Sequence, residues 1–227
     1  MCHVEDIAIV KLGGTPSRKV KGYWGGNIYW LSSGEIANCR ITSSKETITE
    51  EGLQNSNAKV NPPKTVLIAM IGEGKTRGQS AILDTHSCTN QNVAAIVFDT
   101  EYVSPEYVWR WALGEYENNR AVGRGGSQPA LNGQKVRELI IPLPPLPEQQ
   151  EIVRRVDALF AFADSIEAKV AAAREKTERL RQSILAKAFS GELVPTEAEI
   201  ARQEDREYES AGELLERIRK EGKVSAK

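Results

Sequence analysis

The sequence predicts an α+β fold, in which a mixed, β-rich domain is followed by one long coiled-coil-forming helix and a short C-terminal helix. The first half holds short β-branched or apolar runs bounded by Gly, Pro, Asn or Ser, a pattern typical of strands joined by turns. Residues 141–147 read Ile-Pro-Leu-Pro-Pro-Leu-Pro, and so many prolines exclude a helix or a central strand there. Beyond them, no Gly or Pro interrupts residues 148–190. We therefore divide the chain into a domain at 1–146, a long helix at 147–190, and a linker with a short helix at 191–227.

The first domain contains five candidate strands and two candidate helices. The strands are expected at Asp6–Leu12, Ile28–Leu31, Thr65–Ile71, Gln79–Leu83 and Asn92–Phe98. One helix is expected to begin at Ser104, a capping hydroxyl that precedes Pro105 and Glu106. A shorter helix is predicted near Gly133–Leu139. Many strands with few helices favour the α+β class.

The proline segment is expected to be stiff and extended, and we interpret it as a semi-rigid hinge. A ligand for a peptide-binding domain is the alternative. The long helix opens with Pro147 and Glu148, which suit a first helical turn. It is predicted to be roughly 60 Å long. A charged linker is expected at Thr196–Ser210, and a last helix at Ala211–Lys220.

Apolar and small residues recur along the long helix at alternating spacings of four and three, which is a heptad seam. The seam residues expected to contact a partner are Ile152, Val156, Leu159, Ile166, Val170, Leu180 and Ile184. A helix with such a stripe requires a covering surface, so we expect it to pair with a second long helix. That helix belongs to a second copy or to another subunit. The alternative is that the stripe packs back on its own domain.

Composition excludes several classes of protein. The chain has 227 residues and a net charge of -1, so its total charge neither indicates nor excludes a nucleic-acid binder. It has no apolar run of membrane-spanning length, and its start lacks the layout of a signal peptide. The three cysteines are scattered and imply no disulfide framework. A reducing cytoplasm is the expected location.

No motif for catalysis or cofactor binding is complete. Residues 69–76 read Ala-Met-Ile-Gly-Glu-Gly-Lys-Thr, but a phosphate-binding loop requires Gly where Ala69 stands and a helix where a strand follows. The two histidines lack the paired spacing of a zinc site. We therefore expect no enzyme activity, no cofactor and no metal. The segment is interpreted as a turn with Lys75 and Arg77 exposed at its tip.

Local charge is more informative than total charge. Two stretches rich in Gly, Ser, Asn and Gln carry basic residues and no acid: the first holds Lys11, Arg18, Lys19 and Lys21, and the second Arg120, Arg124, Lys135 and Arg137. The turn with Lys75 and Arg77 is a third basic point. Each alone is more typical of a solvated loop. Three of them on connections in one domain favour nucleic acid, because basic side chains bind phosphates and amides or hydroxyls read base edges.

Several motifs resemble those of one family. The string from Pro142 to Val153, the long helix, and the segment Ala186–Val194 resemble the specificity subunits of type I restriction–modification systems. Four segments of the first domain are similar to landmarks of that family's target recognition domain: Gly13–Pro16, Tyr29–Leu31, Thr89–Val93 and Gly126–Ala130. The resemblance covers nearly the whole chain.

The resemblance implies a non-catalytic subunit that binds double-stranded DNA sequence-specifically. It also implies two partners: a methyltransferase (modification) subunit, which uses adenosylmethionine to methylate adenine, and a motor-nuclease (restriction) subunit. Such subunits usually carry two recognition domains and two long helices, whereas this chain has one of each. We therefore expect a homodimer through the long helix and a bipartite, inverted-repeat site.

The candidate DNA-binding residues are Arg18, Lys19, Lys21, Lys75, Arg77, Arg124 and Gln128. We expect the charged residues to contact phosphates, and the glutamine to contact a base. Two other classes of protein stay open. A stand-alone DNA-binding regulator would bind its operator without a methyltransferase, and a coiled-coil adaptor would have no affinity for DNA.

Overall fold

The computed structural model describes residues 1–72, 74–121 and 131–222. The chain forms two compact units, Met1–Leu159 and Phe160–Lys227. The three-part division made from the sequence is not tested by this partition and stays a prediction. Two candidate DNA-binding residues, Arg124 and Gln128, lie outside the described residues.

The described strands are β1 (Cys2–His3), β2 (Ile9–Leu12), β3 (Trp24–Leu31), β4 (Cys39–Ile41), β5 (Glu46–Ile48), β6 (Val66–Ala69), β7 (Ser80–Leu83), β8 (Ser87–Thr89), β9 (Val93–Val97) and β10 (Ile140–Ile141). The described α-helices are α1 (Glu50–Gln54), α2 (Pro105–Gly114), α3 (Tyr116–Ala121), α4 (Gly133–Arg137), α5 (Leu146–Phe189), α6 (Glu197–Gln203) and α7 (Ala211–Gly222). The α+β class, with a long helix after a β-rich domain, is confirmed.

The strands form three sheets. The largest has the order β2-β9-β6-β7-β4, in which β4 runs parallel to β7 and the other neighbours are antiparallel. A second sheet has the order β5-β3-β8, and β3 runs parallel to β8. A two-stranded pair joins β1 to β10, so the start of the chain lies beside the strand that precedes the prolines.

The five-stranded sheet is covered on both faces, because alternate residues of its strands enter different cores. Val66 and Ile68 of β6 point into a core that also holds Val108 of α2. Leu67 and Ala69 point into a second core, built with Leu31, Ile36 and Ile41. Burial on both faces explains why β6 is a continuous apolar run rather than an alternating one.

All five predicted strands are present, with bounds that differ by up to four residues. The structure adds β1, β4, β5, β8 and β10, together with α1 and α3. The added strands have two or three residues each, which is too short for a period-two pattern to show. The predicted linker at 196–210 is wrong in part, because α6 occupies its first half. Thr196 and Glu199 form a reciprocal cap there, and this signal was obscured by the high charge of the segment.

The helix α5 has 44 residues and begins at Leu146, one residue before the predicted start. Side chains of α2 and α5 bond to carbonyls of the proline segment that precedes α5, and the role of this segment as a hinge stays a prediction. Tyr107 donates a hydrogen bond to the carbonyl of Pro142 over 2.7 Å, and Gln149 donates to that of Pro144 over 2.9 Å. Among the described residues, the structure contains no helix long and apolar enough to cross a bilayer.

Candidate nucleic-acid interface

Three connections leave the same end of the five-stranded sheet. The last residue of β2, Leu12, lies opposite Ala94 near the start of β9. The last residue of β6, Ala69, lies opposite Val93, and β7 starts beside the end of β6. The connections at residues 13–23, 70–79 and 90–92 therefore emerge together, and we call this region the loop end.

Two of these connections are joined by hydrogen bonds. The amide of Gly14 donates to the carbonyl of Thr89 over 2.8 Å, and the Thr15 hydroxyl donates to Oε1 of Gln91 over 2.6 Å. The buried indole of Trp30 donates to the carbonyl of Gly14 over 2.9 Å. The Gly-Gly-Thr-Pro and Thr-Asn-Gln-Asn motifs, which are 76 residues apart, thus form one surface.

This contact requires glycine at two adjacent positions. A Cβ at Gly13 would lie 2.0 Å from the Thr89 carbonyl oxygen, and one at Gly14 would lie 2.4 Å from the carbonyl carbon of Asn57. Both distances are shorter than any van der Waals contact, and both involve backbone atoms that cannot rotate away. Only glycine lets the chain approach this closely. The Gly-Gly pair of the motif is therefore explained by packing.

Arg18 lies at the loop end, but its charge is already paired. Its guanidinium contacts both carboxylate oxygens of Glu46, and its second hydrogen bond measures 2.8 Å. The same group stacks 3.7 Å from the ring centre of Trp24. The hydrogen bond from Arg18 lowers the pKa of the Glu46 carboxyl. The sequence segment around Arg18 contains no acid, and the fold supplies one from β5.

Lys19, Lys21 and Lys75 are exposed residues of the connections at the loop end. Within the described part of the chain, no carboxylate oxygen lies within 4.0 Å of their ammonium groups. Three of the seven predicted DNA-binding residues are therefore exposed on two connections of the loop end, with no described carboxylate paired to them. An exposed Lys side chain is flexible and strongly hydrated, which suits contacts with phosphate better than with a defined base.

The prediction that Arg77 is exposed is wrong, because its side chain is buried. The cause is α3, which packs on the loop 70–79. Tyr116 donates a hydrogen bond to the carbonyl of Lys75 over 2.7 Å, and Arg120 donates to the Tyr116 hydroxyl over 2.8 Å. Gly78 has a φ of 83° and lies against the backbone of α3. Arg77 therefore belongs to the interior of this loop.

The opposite end of the sheet carries both acids and cations. Asp84 follows β7, Asp99 and Glu101 follow β9, and Asp6 precedes β2. Lys64 precedes β6 and pairs with Glu106, and Arg40 of β4 pairs with Asp84. Ion pairs therefore neutralise part of the charge at this end.

The predicted seam of α5 is exposed over most of its length. Ile152 is the exception, because it packs against the core of the first unit. The side chains of Leu159, Ile166, Val170, Leu180 and Ile184 are 44–65% exposed. Val156 is half-buried.

The metal-ligating and nucleophilic side chains of the described residues bear on the expectation of no metal site. The described residues contain no cluster of three His, Cys, Asp or Glu side chains that would hold a metal ion. Burial raises the pKa of the Cys88 thiol to about 12, so this thiol stays protonated and unreactive at neutral pH. What the described surface offers is charge, amide groups and an apolar stripe.

The family is established by comparison. Residues 1–173 match the model of the type I restriction modification DNA specificity domain. The chain belongs to this family. It is 41% identical over 129 residues to the type I restriction enzyme EcoDI specificity subunit of Escherichia coli, covering 54% of this chain and 28% of that protein. It is 32% identical over 173 residues to the MjaIX specificity subunit of Methanocaldococcus jannaschii, covering 73% of this chain and 38% of that protein.

Solved structures show the same fold. The HsdS subunit of Thermoanaerobacter tengcongensis is 18% identical, with a TM-score of 0.61 over 84% of this chain and 44% of its own. A chain solved in work on complex assembly and conformational transition of the type I R-M system is 20% identical, with a TM-score of 0.66 over 84% of this chain and 45% of its own. The chain thus spans under half the length of these relatives.

Proposed function

We propose that the chain is a DNA-recognition subunit of a type I restriction–modification enzyme, and that its loop end binds double-stranded DNA. The observation that carries this proposal is that Lys19, Lys21 and Lys75 are exposed on connections that leave the same end of the sheet. The family match supports it, because relatives that carry this domain are named specificity subunits. In this role residues 1–146 bind DNA, and residues 147–190 space and join the subunits.

The chain performs no chemistry in this proposal. It brings a bound modification subunit to a chosen adenine, and a motor-nuclease subunit joins the same assembly. The recognition surface combines phosphate contacts from the lysines with base contacts from neighbouring amides. Gln91, which is exposed, and Gln128 are the proposed base-reading residues, and Arg124 is assigned to phosphate. Direct readout by amide side chains favours adenine, which offers a donor and an acceptor in the major groove.

The proposed assembly is a homodimer formed through α5. The exposed apolar seam supports it, because a stripe of this length is unfavourable in water. Ala163 and Ala173 lie at seam positions and allow two helices to approach closely. A two-fold dimer presents two identical loop ends, so the proposed site is a bipartite inverted repeat.

The test is a titration of the full chain with duplex DNA at several salt concentrations. The triple variant Lys19→Ala, Lys21→Ala, Lys75→Ala should weaken binding to every sequence and lower the salt slope by about three. The control Lys220→Ala removes an exposed lysine of α7 and should change neither quantity. Equal slopes for the wild type and the triple variant would contradict the proposed interface. A wild type without affinity for DNA at low salt would favour the adaptor alternative.

A further inference from the structure

Gln149 is a buried polar side chain at the start of α5. Gln149 is 1% exposed, and both its amide oxygen and its amide nitrogen bond to backbone groups. Oε1 accepts from the amide of Ser104, the capping residue of α2, over 2.8 Å. Nε2 donates to the carbonyl of Tyr102 over 3.2 Å and to that of Pro144 over 2.9 Å. One amide therefore joins the start of α5, the start of α2 and the proline segment.

Further contacts surround this amide. Asp157 forms an ion pair of 2.5 Å with Arg110 of α2. Ile152 and Val153 pack against the core of the domain, and Tyr107 bonds to the proline segment. The first turns of α5 thus belong to the first unit, which extends to residue 159. We call the contacts of Gln149 with Ser104, Tyr102 and Pro144 the joint.

Because α5 is long, a small change of angle at the joint produces a large displacement of the far end of the helix. Gln149 lies 35 residues before the seam residue Ile184, which corresponds to roughly 50 Å of helix. A change of about 5° at the joint displaces the far end of such a lever by roughly 4 Å. Base pairs are stacked ~3.4 Å apart. A small loosening at the joint is therefore enough to change the register of a bound DNA by one base pair.

We propose that Gln149 is a positioning residue that locks α5 to the recognition domain and so fixes the number of base pairs between the two halves of the site. This inference rests on the proposed function. It assigns control of the separation between the two half-sites to the amide of Gln149, which lies outside the loop end. The neighbouring Gln150 is exposed and provides a matched control, because it has the same side chain on the same turn.

The experiment uses the full chain and a random duplex library. Wild type should select two half-sites at a single separation, and duplexes with spacers one base pair shorter or longer then measure its discrimination. The variant Gln149→Met keeps the volume and removes all three hydrogen bonds. It should keep its affinity for a duplex with one half-site within about two-fold, while spacer discrimination falls at least about five-fold. Gln150→Met should behave as wild type.

Two results would overturn the proposal. Retained spacer discrimination in Gln149→Met would mean that the joint does not set the spacing, and an equal loss for the single half-site would mean a structural role alone. Tyr107→Phe provides a second variant in case Gln149→Met does not fold. It removes the bond to Pro142 and should relax spacing in the same direction. If wild type selects no sequence at all, the proposed function itself fails, and this result precedes any comparison of variants.

Discussion

Arg18 and Glu46 form a two-point ion pair at the loop end, between residues that are 28 positions apart. Arg18 also stacks on Trp24, so its guanidinium is held in one place. The pair places the Glu46 carboxylate against a connection that also carries two exposed lysines. It makes Arg18 part of the framework of the loop, and it leaves Lys19 and Lys21 as the available cations.

The pair predicts an increase in DNA affinity when an acid is removed. Glu46→Gln should free the Arg18 guanidinium and strengthen binding to all duplexes, with a salt slope larger by up to about one. Glu216→Gln removes an exposed acid of α7 and is the control, for which no change is expected. Titrations at several salt concentrations measure both variants. Weaker binding by Glu46→Gln would mean that the pair is needed to shape the loop.

The Gly-Gly pair predicts a loss of binding without the loss of any charge. Gly13→Ala places a methyl group against the Thr89 carbonyl, so the loop must separate from the Thr89–Gln91 segment. We expect weaker binding to every duplex and a free energy of unfolding lower by about 1–3 kcal/mol. Gly22→Ala is the control, since nothing lies within 4 Å of its Cβ. Wild-type behaviour of Gly13→Ala would contradict the described contact.

The joint predicts a stability change at Gln149. Gln149→Ala leaves one amide and two carbonyls without their partner and opens a small cavity. Urea unfolding should show a loss on the order of 2–4 kcal/mol. The same change at the exposed Gln150 should stay within about 0.5 kcal/mol. Similar values for the two variants would show that the amide of Gln149 adds nothing to stability.

The Arg40–Asp84 pair predicts a dependence of stability on pH. The hydrogen bond from Arg40 lowers the pKa of Asp84 from its ordinary value of 3.8. A lowered pKa stabilises the fold above the unfolded value, and this contribution disappears as pH falls through the folded value. Wild type should therefore be more stable than Asp84→Asn at neutral pH, and the difference should shrink below about pH 3.8. Both groups are partly exposed, so the difference should be within about 1 kcal/mol.

Urea unfolding across this pH range measures the difference between wild type and Asp84→Asn. Asp164→Asn changes an exposed acid of α5 and serves as the control, with no pH-dependent difference expected. A difference that grows as pH falls would contradict the assigned role of the pair.

The exposed seam predicts that a single charged residue placed within it dissociates the proposed homodimer. Val170→Glu places a carboxylate in the apolar stripe and should convert a dimer to a monomer at micromolar concentration. Ala168→Glu adds the same side chain on the opposite face of α5 and should leave the dimer intact. Sedimentation velocity separates the two states. A wild type that is monomeric at all concentrations would contradict the homodimer and favour a partner helix from another protein.

Elements with a regular residue pattern or with clear start and stop residues were predictable from the sequence. The long helix was predicted to within one residue of its start, because its seam and the prolines before it are local signals. The buried strands were found because β6 and β9 are continuous apolar runs. The short strands were missed, because two or three residues carry too little pattern and depend on pairing with distant segments.

The candidate site was predictable only in part. Lys19, Lys21 and Lys75 were recognised as basic residues of loops, and their exposure agrees with this prediction. The burial of Arg77 and the pairing of Arg18 were missed, because α3 and Glu46 reach them through the fold. The Gly-Gly pair was recognised as a motif. The reason for glycine there depends on how closely Gly13 packs against Thr89, which only the fold shows.

The most direct test of the central claim is a map of methylated adenines in cells that co-express the chain with a modification subunit of the same family. The account predicts methylation at one bipartite, inverted-repeat motif. The triple variant Lys19→Ala, Lys21→Ala, Lys75→Ala should abolish it while the complex still assembles. Methylation at the same motif with the triple variant, or a stable wild-type complex that neither methylates nor binds DNA, would contradict the claim that the loop end reads DNA.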